Sequence, residues 1–87
     1  MVFNNCSNLI SIDLPETLYY IGNYTFNNCK SLSLIIINNN KQIINIDIEQ
    51  FYQNFNLSII VPDNLYNFYI DNVKEIKNAK YFFYPKS

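Results

Sequence analysis

The tetrapeptide Phe-Asn-Asn-Cys occurs at residues 3–6 and again at residues 26–29, which is a spacing of 23 residues. Each copy is followed by a leucine and then by a short apolar stretch. A fixed period of this size is typical of repeat proteins, in which each unit buries its apolar side only against its neighbours. The repeat therefore predicts a stack of similar units and a binding role for the surface that the units share.

Aligning the units predicts which strands pair and which side chains stack. A third, degraded unit begins at Phe51 and has Asn54 where the first two units have cysteine. Main strands are expected near residues 9–14, 32–37 and 57–61, because apolar residues alternate there with others. Parallel pairing, with neighbouring strands about 4.8 Å apart, would stack equivalent side chains of the three units in columns. The three columns are Ile12, Ile35 and Ile59; Leu14, Ile37 and Val61; and Phe3, Phe26 and Phe51.

A second extended piece is expected in each of the first two units, over residues 18–21 and 43–46. The two pieces align only if the second unit carries two extra residues, which we place in the polar run 38–42. Insertions in such turns cost little stability. With one glycine and sixteen asparagines, the tight turns are expected to rely on asparagine, which tolerates left-handed geometry.

The pattern changes after Pro62. Asp63 is expected to cap a helix, whose apolar side would hold Leu65, Tyr69, Val73 and Ile76 at steps of three or four residues. Residues 81–84 are expected to form a short aromatic strand that Pro85 stops. We therefore divide the chain into repeat units over 1–62 and a C-terminal capping helix and strand over 63–87.

The stretch at residues 18–32, Leu-Tyr-Tyr-Ile-Gly-Asn-Tyr-Thr-Phe-Asn-Asn-Cys-Lys-Ser-Leu, resembles the repeat of BspA-like leucine-rich proteins. That repeat has the form L-x-x-I-G-x-x-A-F-x-x-C-x-x-L-x-x-I-x-I-P. The resemblance covers about residues 1–62, as two good units and one poor one; Thr25 stands where alanine is usual, and Asn38 where proline is usual. The structural positions that match are Leu9, Ile12, Leu14, Ile21, Gly22, Phe26, Cys29, Leu32, Ile35 and Ile37.

The resemblance implies a leucine-rich repeat solenoid: short parallel β-strands stacked in about three coils, with the C-terminal helix and strand as a cap. It also implies a non-enzymatic protein-binding or adhesion module of a larger surface protein, with a host or matrix protein as partner. No catalytic residue, cofactor or metal comes with it. The alternative is a structural terminal cap, or a truncated remnant, with no binding activity of its own.

The start of the chain falls within a unit, since Met1 and Val2 directly precede Phe3. We interpret the chain as the C-terminal piece of a longer array or as a truncated reading frame, and expect self-association through the uncapped N-terminal edge. Residues 1–6 lack the basic region and apolar core of a signal peptide, so localisation stays open, although the resemblance implies the cell surface or secretion. No apolar run approaches the roughly 20 residues that span a bilayer, so membrane insertion is not expected.

Charge and composition argue against nucleic-acid binding and catalysis. The chain has a net charge of −1, six lysines and no arginine or histidine, while nucleic-acid affinity depends on cations that neutralise phosphates. Lys74, Lys77 and Lys80 are interpreted as the solvated side of a helix. Histidine is the usual general base, and the carboxylates are scattered singly. We therefore expect no enzyme activity.

Cys6 and Cys29 are the residues with the most reactive side chains. They occupy one column, so their Cα atoms could approach within the about 4.4–6.8 Å that a disulfide needs. Neighbours in a strand ladder point the same way, however, and free cysteine often packs as a small buried apolar group. We expect two buried free thiols, with a disulfide as the alternative. A zinc site would need further cysteine or histidine ligands and is not expected.

The outward strand faces are the best candidate for a partner-binding surface. Leu34, Ile36 and Ile60 would form an apolar stripe there, and such stripes often mark partner contacts. Alternatively, upstream coils or the insert at 38–40 cover the stripe. The predicted binding residues are Ile10, Asp13, Leu34, Ile36, Ser58 and Ile60. Three glycosylation patterns, at Asn5, Asn23 and Asn56, matter only if the chain enters a secretory pathway.

Overall fold

A computed structural model of this chain describes residues 6–22, 25–26, 28–46, 54, 57–73 and 81–87. Within these residues the first two units each contain a three-residue strand followed by a two-residue strand. This recurrence of the same elements fits a repeat fold. In chain order the elements are β1 (Ser11–Asp13), β2 (Tyr20–Ile21), β3 (Leu34–Ile36), β4 (Asn45–Ile46), β5 (Leu57–Val61), a 3-10 turn (Asp63–Leu65), α1 (Tyr66–Val73) and β6 (Tyr81–Pro85).

Among the described residues, the main sheet has four strands in the order β1-β3-β5-β6, and every neighbouring pair is parallel. Parallel neighbours need a long crossover between them, and here the rest of each repeat unit supplies it. One register column joins Ile12, Ile35, Ile59 and Phe83. The predicted isoleucine column is therefore confirmed, and the aromatic strand β6 adds a fourth member to it.

The short strands β2 and β4 pair in parallel and form a second sheet. Their register joins Ile21 to Ile46, which are 25 residues apart, whereas Ile12 and Ile35 are 23 residues apart. This difference confirms the two extra residues predicted for the second unit. The chain between Ile12 and Ile21 is therefore two residues shorter than the matching chain between Ile35 and Ile46.

The observed main strands of the first two units are shorter than the predicted stretches 9–14 and 32–37. Each begins only after a turn, which is closed by hydrogen bonds from the Leu9 N–H to the Cys6 carbonyl and from the Leu32 N–H to the Cys29 carbonyl. An N–H group that closes a turn is not available to donate to a neighbouring strand. The two strands therefore begin two residues later than the apolar pattern predicts, at Ser11 and Leu34.

The core is formed by the residues that face inward from the strands, together with apolar residues of the turns. Leu14, Ile37 and Val61, the second predicted column, are all buried. Each such aliphatic side chain contributes roughly 1.5–3 kcal/mol when it leaves water. Phe26 is also completely buried. Phe3 and Phe51 lie outside the described residues, so the phenylalanine column stays a prediction.

Cys6 and Cys29 form a disulfide, with their Cα atoms 4.7 Å apart. The expectation of two buried free thiols is therefore wrong, and the alternative is what the structure contains. Neither cysteine lies in a strand; each begins one of the turns that precede β1 and β3. The argument that ladder neighbours point the same way does not apply to residues in turns.

Asn28 has a φ of 65°, which is the left-handed region of the backbone. It directly precedes Cys29 in the second copy of the tetrapeptide. Asparagine tolerates this conformation better than most other residues that have a side chain. The expectation that asparagine takes part in the tight turns is confirmed at this position.

Asp63 begins the 3-10 turn but does not cap it. No side chain caps this turn, and the Asp63 carboxylate instead accepts hydrogen bonds from the backbone N–H and the hydroxyl of Ser87. The predicted helix cap is therefore wrong, because the end of the chain returns to Asp63 and offers it two donors. This return could not be read from the local sequence.

The predicted helix and aromatic strand are both present after the 3-10 turn. The helix α1 is described over Tyr66–Val73, and β6 continues through Pro85 instead of stopping before it. Proline is tolerated there because β6 is an edge strand of the sheet within the part of the chain that the structure describes. Ile76, Lys74, Lys77 and Lys80 lie outside the described residues, and so do Asn5, Asn23 and Asn56.

Candidate functional site

The predicted binding residues lie largely on one surface, which we call the outer face. Burial alternates along β3 and β5, so that every second side chain is partly exposed while its neighbours are buried. The register places the partly exposed residues of successive strands side by side. The outer face consists of Ser11, Asp13, Leu34, Ile36, Ser58, Ile60 and Tyr84.

Ile10, the remaining predicted binding residue, lies just before β1 and is 63% exposed. Its carbonyl accepts hydrogen bonds from the N–H groups of Ser33 and Leu34, at 2.8 and 3.3 Å. These bonds hold its backbone against the start of β3. Ile10 therefore adds a solvent-exposed apolar side chain directly before β1.

The outer face combines an apolar centre with polar groups at its margin. Ile36 pairs in register with Ile60, and Leu34 with Ser58, so three aliphatic side chains lie on two neighbouring strands. Tyr84 continues this apolar area onto β6, where it is 48% exposed. An apolar centre with a polar rim is the usual arrangement of a protein-binding surface.

The polar margin lies where the strands end, and its side chains are already bonded to one another. Asn38 donates from Nδ2 to the Asp13 carboxylate and also to the Leu14 carbonyl, the latter at 2.6 Å. The Lys86 ammonium donates to the Asn38 side-chain oxygen. Asp13 is exposed as predicted, but it also takes part in a row that ties β1 to the residues after β3 and β6. Asn38 thus bridges the first two units.

Asparagine side chains link each unit to the one before it. Asn39 donates to the Leu18 carbonyl at 3.1 Å, Asn54 to the Cys29 and Leu32 carbonyls at 2.7 and 3.0 Å, and Asn64 to the Asn40 carbonyl at 2.8 Å. The partners are 21 to 25 residues apart, which is about one unit. This role was not predicted, because asparagine was expected only in the turns. The signal that could have shown it is Asn54, a polar residue at a buried column position.

Two successive turns enclose a groove of about 160 Å³. One wall comes from the turn between β1 and β2, and the other from the turn between β3 and β4. The second turn was predicted only as a polar insertion, and no local sequence motif marks the groove. Its lining residues are Glu16, Thr17, Tyr19, Asn39, Asn40 and Lys41.

Two titratable side chains make contacts in the C-terminal part of the chain: Tyr69 bonds to Ile44, and Asp63 bonds to Ser87. The Tyr69 hydroxyl accepts a hydrogen bond from the Ile44 N–H at 2.9 Å, and its ring stacks on Phe83 with centroids 5.5 Å apart. Burial raises the pKa of Tyr69, against a smaller opposing effect of the Ile44 donor. The Ser87 hydroxyl, and then the Ser87 N–H, lower the pKa of Asp63.

Within the described part of the chain, no three histidine, cysteine or acidic side chains are grouped so that they could hold a metal ion. No helix among the described residues combines the length and the apolar character that crossing a membrane requires. The features that stand out chemically in these ranges are the outer face and the groove.

Comparison with known proteins relates the whole chain to one family. Residues 1–87 match a family model described as a BspA type leucine rich repeat region, of six copies. Repeats of this kind generally mediate protein–protein interaction and are typically non-enzymatic. Searches of curated proteins and of solved structures each returned no significant match.

Proposed function

This chain belongs to the BspA-type leucine-rich repeat family, and on that premise we propose that it is a protein-binding or adhesion module of a larger surface protein. The outer face is the surface that contacts the partner. The observation that carries this proposal is the contiguous apolar area of Leu34, Ile36 and Ile60, which the register continues onto the exposed ring of Tyr84.

The proposed architecture is a solenoid in which residues 1–62 wind as about three coils and residues 63–87 close one end. It is supported by main-strand partners that lie 23 or 24 residues apart in unbroken parallel register, such as Ile12, Ile35 and Ile59. It is also supported by asparagine bonds that reach back by about one unit. In this architecture the outer face grows by one strand with each coil, as a repeated binding surface requires.

The disulfide between Cys6 and Cys29 supports a place at the cell surface or outside the cell. Disulfides persist in oxidising compartments and are rare in reducing ones. The sequence contains two cysteines in all, and both are used in this one bond. A surface-exposed or secreted adhesion module would form this bond on its way out of the cell.

The test is a binding assay between the folded, oxidised chain and a panel of purified extracellular-matrix proteins from a host. The variant Ile36→Asp with Ile60→Asp places two charges in the centre of the outer face, and a loss of at least about tenfold in affinity is expected, equivalent to 1.4 kcal/mol. The matched control is Phe68→Asp, because Phe68 is 58% exposed but lies on α1.

Three outcomes of this assay are informative. Loss of binding in the outer-face variant alone supports the proposal, provided that circular dichroism shows both variants folded. Equal binding by the outer-face variant would contradict the proposed surface. If the unmodified chain binds no member of the panel, the alternative gains support, namely a structural terminal cap without independent binding activity.

Self-association is a second part of the proposal and involves the edge strand β1. In the described residues β1 pairs on one side only, with β3, and an unpaired strand edge recruits other chains. Light scattering over a concentration series should show a mass that rises with concentration. A strictly monomeric chain at the highest concentration would contradict this part.

A further inference from the structure

We propose that the groove between the first two inter-strand turns is a binding site for one hydroxyl-rich sugar ring, such as the terminal residue of a glycan. The groove is formed by turns and includes no residue of the outer face. The inference therefore goes beyond the proposed protein contact and does not rest on it.

Both walls of the groove are held in place before any ligand arrives. Asn39 lines the groove, is 2% exposed, and donates to the Leu18 carbonyl in the opposite turn. Its side-chain oxygen accepts hydrogen bonds from the N–H groups of Lys41 and Gln42, at 2.9 and 3.2 Å. Asn64 in turn donates to the Asn40 carbonyl at 2.8 Å. A site that is formed in advance loses less free energy to ordering when it binds.

Five of the side chains that line the groove are free to bond to a ligand. Among the described residues, the side chains of Glu16, Thr17, Tyr19, Asn40 and Lys41 have no hydrogen-bond or ion-pair partner. Together they offer a carboxylate acceptor, an ammonium donor, an amide, and two hydroxyls that can both donate and accept. A sugar ring needs this mixture because each of its hydroxyls is both a donor and an acceptor.

Tyr19 supplies the apolar contact that a sugar ring also needs. It is 60% exposed and has an apolar ring with a polar end. The C–H groups of a pyranose lie on its two faces, whereas the hydroxyls point outward from its edge. The ring can therefore pack one face on Tyr19 while its hydroxyls reach the polar groups of the walls.

The size of the groove restricts the ligand to about one ring. Its volume of about 160 Å³ is roughly half the lower limit of the 300–1,000 Å³ that drug-sized ligands occupy. A folded peptide segment or a nucleotide would extend well beyond it. The charges of Glu16 and Lys41 have opposite signs, so the site has no net charge that would select an anion or a cation.

The experiment is saturation-transfer and amide-shift NMR of the full oxidised chain with the methyl glycosides of glucose, galactose, mannose and N-acetylglucosamine, tested one at a time. At least one glycoside is expected to bind and to shift the amides of residues 16–19 and 39–41. Tyr19→Ala is expected to weaken that binding by about tenfold, whereas Tyr19→Phe keeps the ring and most of the affinity. Tyr84→Ala removes an exposed ring from the outer face and is expected to have no effect.

Several results would overturn the inference. They are the absence of binding by all four glycosides, equal binding by Tyr19→Ala, and amide shifts confined to other parts of the chain. Glycine is a further probe because it carries both an ammonium and a carboxylate. Preferential binding of glycine at the same residues would assign the groove to a zwitterion and overturn the sugar assignment. The Ile36→Asp and Ile60→Asp variant should bind the glycoside normally, so this inference and the proposed protein contact can fail separately.

Discussion

At the scale of the residue, Asn54 shows how the third unit is joined to the second without a cysteine. It aligns in the sequence with Cys6 and Cys29, is 2% exposed, and donates two hydrogen bonds, to the carbonyls of Cys29 and Leu32. A buried amide is stable only when its polar atoms are bonded. The first and second units are thus joined by a covalent bond, whereas the second and third are joined by a pair of hydrogen bonds.

The variant Asn54→Ala should therefore destabilise the fold, although it removes only a small side chain. It deletes two bonds to buried carbonyls and leaves a small cavity, for which a loss of about 1–3 kcal/mol in the free energy of unfolding is expected. Urea unfolding followed by circular dichroism measures this change. Asn8→Ala is the matched control, since Asn8 is exposed and surface changes usually stay within about 0.5 kcal/mol. Equal stability of the two variants would show that the Asn54 bonds contribute nothing.

At the scale of the element, Tyr69 connects the helix α1 to β6 of the main sheet and to the residue just before β4 of the second sheet. Its hydroxyl accepts the Ile44 N–H next to β4, and its ring stacks on Phe83 of β6. Tyr69→Phe keeps the ring but leaves the Ile44 N–H without its acceptor, which should cost about 1–3 kcal/mol. Thermal unfolding and hydrogen exchange at the Ile44 amide both report this loss. Tyr66→Phe is the control because Tyr66 is only partly buried, and unchanged exchange at Ile44 in Tyr69→Phe would contradict the assigned role.

Ser87 lies just after the strand β6 and bonds to Asp63. This contact should depend on pH. The Ser87 donors lower the pKa of Asp63 below its ordinary value of 3.8. Because the folded-state pKa is the lower one, the contact stabilises the fold above pH 3.8 and is lost as the pH falls through the lowered value. Thermal midpoints of the unmodified chain and of Asp63→Asn should therefore differ at neutral pH and converge in acid. A difference that persists unchanged in strong acid would rule out this contact as its cause.

At the scale of the whole molecule, the features that depend on the repeat spacing could be predicted from the sequence. The contacts between turns of different units could not. The Ile12, Ile35 and Ile59 column and the two-residue insertion depend only on spacing, so the sequence was sufficient for them. The Asp63–Ser87 contact joins residues 24 apart through the return of the chain end, and the groove joins Tyr19 to Lys41 across two units. The choice between thiols and a disulfide depended on the backbone direction at Cys6 and Cys29, which the column position does not determine.

The disulfide makes the stability of the whole molecule depend on its redox surroundings. Cys6 and Cys29 are 23 residues apart, and a cross-link that closes a loop of this size stabilises a fold by about 3 kcal/mol, mainly by restricting the unfolded chain. Reduction should therefore lower the thermal midpoint by on the order of 10–20 °C for a domain of this length. Differential scanning calorimetry with and without a reductant measures the shift. The double variant Cys6→Ser and Cys29→Ser is the control, because its midpoint should resemble that of the reduced chain and should not respond to reductant. Two results would contradict this prediction: a reductant that changes the thermal midpoint of neither protein, or two free thiols found by mass spectrometry after alkylation of the oxidised chain. Either result would mean that the link between the first two units is not covalent. The argument for an oxidising compartment would then fail as well.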